Sequence, residues 1–160
     1  MNSFNKGMLK FQLKERTALI TGSTRGIGWS IARGMAEAGA TVYINGRDKK
    51  ILDTRCESII DLGYNAKPAL FDATDVEATD KFLESTATPI DILVNNAAIR
   101  LRKPIDEISP QAFSDVVEAN LNSVYAISRS FATRLVDQEE KGSLINITSI
   151  AGPRARSGDP

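Results

Sequence analysis

The sequence contains no histidine and only one cysteine. Without histidine, it has neither a Ser-His-Asp or Cys-His triad nor a histidine-ligated zinc site, and no metal site is predicted. Cys56 has no second cysteine with which to form an internal disulfide, which favours a reducing compartment. These absences exclude several common hydrolase chemistries from the 160 residues.

The chain also lacks long apolar runs and an excess of charge. No stretch approaches the roughly 18 apolar residues of a membrane span, and the first ten residues do not match a secretory signal. Twenty basic and twenty acidic residues cancel, so no attraction to nucleic acid or to an anionic membrane is expected. We therefore expect a cytoplasmic protein that binds a small molecule.

Two kinds of hydrophobic pattern alternate along the chain. Short apolar runs at 17–21, 41–45, 66–71, 90–94 and 143–148 predict five strands buried on both faces. Helical patterns lie between them at 27–38, 48–62, from 74 onward, and from 109 to 135. This order predicts right-handed crossovers and a Rossmann-like, doubly wound α/β fold with a parallel sheet of about five strands.

Residue chemistry predicts where these helices begin and end. The predicted N-terminal caps are Asp48, Thr74 and Ser109, and the predicted C-terminal stops are Gly39 and Gly63.

A glycine-rich segment joins the first predicted strand to the first predicted helix. Glycine is needed where backbone turns tightly or approaches a pyrophosphate, and a helix N-terminus offers N–H groups to phosphates. This context predicts a dinucleotide site, and a tight turn without a ligand is the alternative. The predicted cofactor contacts in the segment are Gly22, Ser23, Thr24, Arg25, Gly26, Ile27 and Gly28.

The spacing T-G-x-x-x-G-x-G resembles that of the short-chain dehydrogenase/reductase family. Asp72, after the third predicted strand, matches the family's adenine-contacting aspartate. Residues 95–98 match its N-N-A-G motif, with Ala98 in place of the usual glycine. The resemblance implies that Asp72, Asn95 and Ala97 contact the cofactor.

Two further landmarks match the family's catalytic residues. Asn120, in the long fourth helix, matches the catalytic asparagine, which in this family bends the helix and holds a water of the proton relay. Ser149, after the fifth strand, matches the serine that hydrogen-bonds the substrate oxygen. Asn120 also falls on the apolar stripe of its helix, so we expect its amide to be buried and hydrogen-bonded.

The end of the second strand indicates which cofactor is preferred. Dinucleotide folds usually place an acid there to bind the ribose 2′-OH. Here Asn45 and Gly46 stand at the strand end and Arg47 follows, a residue type that suits a 2′-phosphate. Arg25 is a second basic position found in NADP-preferring members, so Arg25, Asn45 and Arg47 predict NADP over NAD. Asp48 is the counter-indication, since a shifted turn would bring it to the 2′-OH.

The basic residues after the 95–98 motif bear on the substrate. Three cations within residues 100–103 suggest an anionic substrate, and a solvated basic loop is the alternative. Within the family, Asn45-Gly46-Arg47, the basic segment before Pro104 and residues 149–156 together resemble the gluconate 5-dehydrogenases. This resemblance implies a sugar acid such as gluconate or 5-ketogluconate, with Arg102, Arg156 and Ser149 as substrate contacts. The 3-oxoacyl-carrier-protein reductases are the main competitor, since they share the cofactor motifs.

The family's proton donor has no counterpart in these residues. In the family, a Tyr-x-x-x-Lys motif would begin two residues beyond Pro160, and no tyrosine of the chain has a lysine four positions on. We expect residues 1–160 to be an incomplete NAD(P)-binding domain of an enzyme that is homo-oligomeric at full length. A complete, non-catalytic nucleotide-binding or partner-binding module is the alternative.

Overall fold

The computed structural model describes residues 12–150. They contain one five-stranded parallel sheet. Its strand order, β3-β2-β1-β4-β5, is that of the doubly wound fold, which confirms the predicted fold class. The strands are β1 (Thr17–Ile20), β2 (Thr41–Gly46), β3 (Asn65–Leu70), β4 (Ile92–Asn95) and β5 (Ser143–Asn146).

The helices are α1 (Gly26–Glu37), α2 (Lys49–Ile60), α3 (Val76–Ser85), α4 (Pro110–Val117) and α5 (Ser123–Asp137). Asp48 caps α2 by accepting a hydrogen bond from the Ile51 N–H, and Ser109 caps α4 through the Ala112 N–H. The predicted cap of α3 was wrong by one residue. The carboxylate of Asp75, and not the hydroxyl of Thr74, accepts the capping hydrogen bond from the Ala78 N–H.

Each face of the sheet has its own core. Ala18 and Ile20 of β1 point to the face covered by α1 and α2, where Leu52 is fully buried. Leu19 points to the opposite face, with Ile127 of α5. The alternation of side chains along a strand therefore buries β1 on both faces, as its continuous apolar run predicts.

The predicted continuous helix from 109 to 135 is interrupted. A π-helical segment, Glu118–Asn122, separates α4 from α5 and contains Asn120. Phe113 and Leu121 before and within this segment are exposed, whereas Ile127 and Phe131 after it are buried. Only the α5 part of the apolar stripe therefore reaches the core.

The topology places a crevice beside β1. The chain runs outward from β1 to β2 and β3, then returns to β4 on the other side of β1. Ligands bind in such folds outside the carboxyl ends of the strands at this reversal. The segments after β1 and β4 meet there. Within residues 12–150, no helix is long and apolar enough to span a membrane.

Candidate cofactor and active site

The loop between β1 and α1 has backbone geometry that requires glycine. Gly22 and Gly26 have φ angles of 59° and 58°, in the left-handed region that L-residues rarely adopt. A Cβ on Gly22 would lie 3.0 Å from the Cα of Ala97, and a Cβ on Gly28 would lie 2.7 Å from the carbonyl oxygen of Gly22. The loop is thus pressed against the segment after β4 and against the first turn of α1.

Asn45, at the end of β2, fixes the inner part of this loop. Its Oδ1 accepts from the Gly22 N–H at 3.0 Å, and its Nδ2 donates to the carbonyls of Ala69 and Phe71, each at 3.0 Å. Its backbone N–H donates to the Ser23 hydroxyl, which itself donates to the carbonyl of Ile20. Asn45 is only 2% exposed and Ser23 is fully buried, so their side chains position the loop from behind.

Thr21 and Asn96 join the β1 loop to the segment after β4, and they are missing from the site residues that the sequence predicts. The Thr21 hydroxyl accepts from the N–H groups of Asn96 and Ala97, both at 2.9 Å. The Asn96 Nδ2 donates to the carbonyls of Thr21 and Gly22. Thr21 and Asn96 lie inside the motifs at 21–28 and 95–98, and this position is the signal by which they could have been found.

The first turn of α1 is suited to an anion. Arg25 is the N-cap residue, its side chain makes no capping hydrogen bond, and no acidic residue lies in the first turn. The N–H groups and the positive end of the helix dipole therefore face the crevice without a competing carboxylate. Arg25, Gly26 and Ile27 are all exposed here. The cradle left by Gly22 and Gly28 and this open helix end fit a dinucleotide pyrophosphate.

A carboxylate and an arginine face each other beyond the ends of β2 and β3. Arg47 Nη1 lies 3.3 Å from Asp72 Oδ2; the Arg47 side chain is well exposed and that of Asp72 is partly buried. Partial burial alone would raise the pKa of Asp72, but hydrogen bonds from Thr74 and the Arg47 guanidinium outweigh it and lower the pKa. Asp48 is engaged as the α2 cap, so its carboxylate is committed to the Ile51 N–H.

The segment after β4 brings a second polar cluster to the crevice. Asn95 Nδ2 donates to the Ser128 hydroxyl of α5 and to Asn146 Oδ1 of β5, both at 2.9 Å, so one buried amide ties β4 to two neighbours. Ala98, which replaces the usual glycine, is exposed, and its φ is not positive. An alanine is therefore unstrained at this position.

Of the two predicted catalytic residues, Asn120 is bonded to this segment and Ser149 follows β5. Asn120 Oδ1 accepts from the Ile99 N–H and its Nδ2 donates to the Ile99 carbonyl, both at 2.9 Å. Ser149 is exposed and follows β5, whose next residue, Ile147, donates its N–H to the Asn95 carbonyl. The expectation that Asn120 is buried was wrong, because it lies on the exposed side of the π-helical segment.

The predicted substrate contacts are only partly described. Arg102 is exposed, on the same connection as Ile99, and Arg156 lies outside the described residues. Tyr43 is buried in the core and Tyr125 is exposed on α5, and neither they nor Tyr64 has a lysine four residues on. The described residues thus include a glycine loop and an open helix end that fit a pyrophosphate, together with the predicted catalytic residues Asn120 and Ser149.

A family model described as short chain dehydrogenase matches residues 16–159. The gluconate 5-dehydrogenase of Gluconobacter oxydans is 36% identical over 92% of this chain and 59% of its own length.

Two solved structures resemble the fold closely. A gluconate 5-dehydrogenase from Burkholderia cenocepacia, in complex with NADP and tartrate, has a TM-score of 0.87 and 36% identity, covering 96% of this chain and 61% of that one. A 3-oxoacyl-[acyl-carrier protein] reductase from Brucella melitensis with bound NAD has a TM-score of 0.90 and 29% identity, covering 99% and 63%.

The chain therefore spans about three fifths of the length of the relatives it matches. The family match covers residues 16–159, nearly all of this chain, and includes both the glycine loop and the segment after β4. On this evidence, the chain belongs to the short-chain dehydrogenase family.

Proposed function

We propose that this chain forms the cofactor-binding part of an NADP-dependent oxidoreductase that acts on a small hydroxy or keto acid. The observation that carries the proposal is the open N-terminus of α1 beside a glycine cradle, with Arg47 rather than an acid at the end of β2. The NADP-bound Burkholderia structure, at 36% identity, supports the same cofactor.

Each part of the crevice has a proposed role. The N–H groups at the start of α1 bind the pyrophosphate, which Gly22 and Gly28 allow to approach closely. Arg25 and Arg47 bind the 2′-phosphate, and Asp72 hydrogen-bonds the adenine. The remaining proposed contacts or supports are Ser23, Thr24, Gly26, Ile27, Asn45, Asn95 and Ala97. The buried side chains of Ser23, Asn45 and Asn95 act by positioning backbone.

At the nicotinamide end, Asn120 and Ser149 are the proposed catalytic residues of this chain. The cofactor, when bound, supplies or accepts a hydride at nicotinamide C4. Ser149 donates a hydrogen bond to the substrate oxygen. Asn120, bonded to Ile99, presents its backbone to a water of the proton route. The general acid/base itself is expected from a Tyr-x-x-x-Lys segment, which residues 1–160 do not contain.

For the substrate, we propose a sugar acid such as gluconate or 5-ketogluconate. Arg102 and Arg156 are the proposed carboxylate contacts, because a guanidinium binds both oxygens of a carboxylate. Gluconate 5-dehydrogenases are among the relatives, and the Burkholderia structure holds tartrate, a hydroxy acid.

A second candidate, a 3-oxoacyl-carrier-protein reductase-like enzyme, is supported by the TM-score of 0.90 with the Brucella reductase. The cofactor motifs are common to both, so only the substrate loop separates them. A non-catalytic nucleotide-binding module is the third candidate, supported by the glycine cradle and the open end of α1 alone.

Cofactor choice is tested by titrating the purified chain with NADPH and NADH while following nicotinamide fluorescence. We expect NADPH to bind at least tenfold more tightly, and Arg47→Glu to remove most of that preference. Lys50→Glu, which makes the same charge change at an exposed position of α2, serves as the control and should leave the preference intact. Tighter binding of NADH by the unmodified chain would overturn the NADP proposal.

Catalysis is tested by reading the coding DNA beyond the codon for Pro160. An in-frame Tyr-x-x-x-Lys at the family's position supports the oxidoreductase, whereas an immediate stop codon supports the non-catalytic module. The longer protein, if encoded, is then assayed for NADP-linked oxidation of gluconate. Reduction of 3-oxoacyl thioesters without gluconate oxidation would favour the second candidate.

We also propose that the whole protein is a homo-oligomer. The exposed apolar side chains of α5, Tyr125 and Val136, supply a surface for association.

A further inference from the structure

We infer that Arg55 is a positioning residue for NADP specificity, an inference that rests on the proposed cofactor. Arg55 lies on α2, outside every motif that the sequence analysis identified. It reaches across to the β1–α1 loop, where its Nε–H donates to the carbonyl oxygen of Thr24 at 2.9 Å. Its guanidinium carbon lies 4.6 Å from the ring centroid of Trp29, in the first turns of α1.

The loop has an inner part and an outer part, which are held differently. Gly22 and Ser23 are bonded to Asn45, and Gly22 is also bonded to Asn96. The Thr24 carbonyl lies beyond these contacts and just before the N-cap of α1. Among the residues that the structure describes, Arg55 is the one side chain that donates to it.

Thr24 also contacts the other arm of the proposed 2′-phosphate site. A Cβ on Gly46 would lie 2.6 Å from the Thr24 Cγ2, so the Thr24 methyl group covers the end of β2. Arg25 follows Thr24 in the chain, and Arg47 follows Gly46. By holding Thr24, Arg55 therefore fixes the backbone next to both proposed 2′-phosphate ligands.

The two contacts of Arg55 restrict the motion of the loop at Thr24. A charged donor to a partly buried carbonyl is stronger than a neutral hydrogen bond, and stacking on an indole restricts the guanidinium further. A binding loop that is ordered before the ligand arrives loses less conformational entropy on binding. Loss of Arg55 should thus weaken the contacts made by Arg25 and Arg47, while the Asn45-bonded cradle for the pyrophosphate remains.

The test compares Arg55→Met with Arg55→Lys and with Arg33→Met, a control that removes an exposed arginine bonded to Glu37 on α1. Dissociation constants of the purified chains for NADPH and NADH are measured separately. We expect Arg55→Met to weaken NADPH about tenfold and NADH less than threefold, Arg55→Lys to be intermediate, and Arg33→Met to change neither.

A purely structural role would lower thermal stability and weaken both cofactors alike. Equal weakening of NADPH and NADH, or no change in either, in Arg55→Met would overturn the inference. If that variant does not fold, the NADPH-to-NADH ratio of Arg55→Lys decides in the same way. The proposed function is judged separately, by the preference of the unmodified chain, so the two failures are distinguishable.

Discussion

At the scale of single residues, the buried side chain of Asn45 joins the β1–α1 loop to residues 69–71 at the end of β3. One side chain serves the Gly22 N–H and the carbonyls of Ala69 and Phe71. Asn45→Ala leaves these groups without their partner, and each such loss costs about 1–3 kcal/mol. We expect the free energy of unfolding, measured in urea, to fall by about 3–5 kcal/mol, near the lower end of the sum over these three groups.

The control for this substitution is Gln111→Ala on α4. Gln111 is exposed and bonds only the neighbouring Asp115 side chain at 2.8 Å, so its loss should change stability by less than about 0.5 kcal/mol. An Asn45→Ala chain as stable as the Gln111→Ala chain would contradict the role assigned to Asn45.

Cys56 provides a residue-scale prediction that depends on pH. Burial raises the pKa of its thiol from 9.0 to about 11, with Asp53 and Glu57 adding to the shift. The folded chain should then hold roughly a hundredfold less thiolate at pH 8 than the unfolded chain. We expect Cys56 to react with a disulfide reagent at least a hundredfold more slowly in the folded chain than in urea.

The same shift fixes the sign of the effect on stability. Because the folded pKa is the higher one, the contribution of Cys56 is fully present below pH 9 and is lost as the pH rises towards 11. The stability difference between the unmodified chain and Cys56→Ala should therefore shrink across this window. A thiol that reacts equally fast in folded and unfolded chains would contradict this account.

At the scale of elements, α1 offers two glycines with opposite expected effects. A Cβ on Gly28 would lie 2.7 Å from the Gly22 carbonyl oxygen and 2.9 Å from the Ser23 Cα, so Gly28→Ala must push the helix away from the loop. We expect a loss of about 1–3 kcal/mol in unfolding free energy and at least tenfold weaker NADPH binding.

Gly34 is the matched position, since it lies in the same helix with no atom within 4 Å of the Cβ it would gain. Gly34→Ala should raise the free energy of unfolding by about 0.5–1 kcal/mol, because alanine loses less backbone entropy in a helix. Thermal unfolding of the two variants measures both effects. Equal effects at Gly28 and Gly34 would show that close packing at Gly28 is not the cause.

The elements also show where sequence patterns are sufficient. Asp48 and Ser109 cap their helices, and Gly39 and Gly63 end theirs with φ angles of 101° and 85°, because capping depends on residues a few positions apart. Helical periodicity did not predict the π-helical segment around Asn120, although the family resemblance implied a bend there. Asn120 bonds Ile99, 21 residues earlier, and helical periodicity gives no information about a partner at that distance.

At the scale of the whole molecule, the outer edge of β5 is the main surface through which the chain is expected to self-associate. β5 pairs with β4, and its Leu144 and Ile145 are exposed. An exposed apolar edge strand associates with other chains, and a lysine on the edge opposes this. We expect the 160-residue chain to self-associate at micromolar concentration in sedimentation velocity, and Ile145→Lys to shift it towards its monomer mass of 17.4 kDa.

The control for this prediction is Ile51→Lys, the same change at an exposed position of α2. It should leave self-association unchanged, because α2 packs on β2 and β3, the two strands farthest from β5 in the sheet. A chain that is monomeric at all concentrations would contradict the prediction, as would equal dissociation by both substitutions.

The sequence by itself determined the order of strands and helices, the caps Asp48 and Ser109, and the glycine turns of the cofactor loop. These features depend on neighbouring residues, whose periodicity and backbone preferences are local. Only the tertiary structure decided that Asn45 lies behind the loop, that Asn120 is exposed, and that Arg55 contacts Thr24. Each of these depends on a partner at least 21 residues away in the chain, and which distant residues meet is fixed by packing.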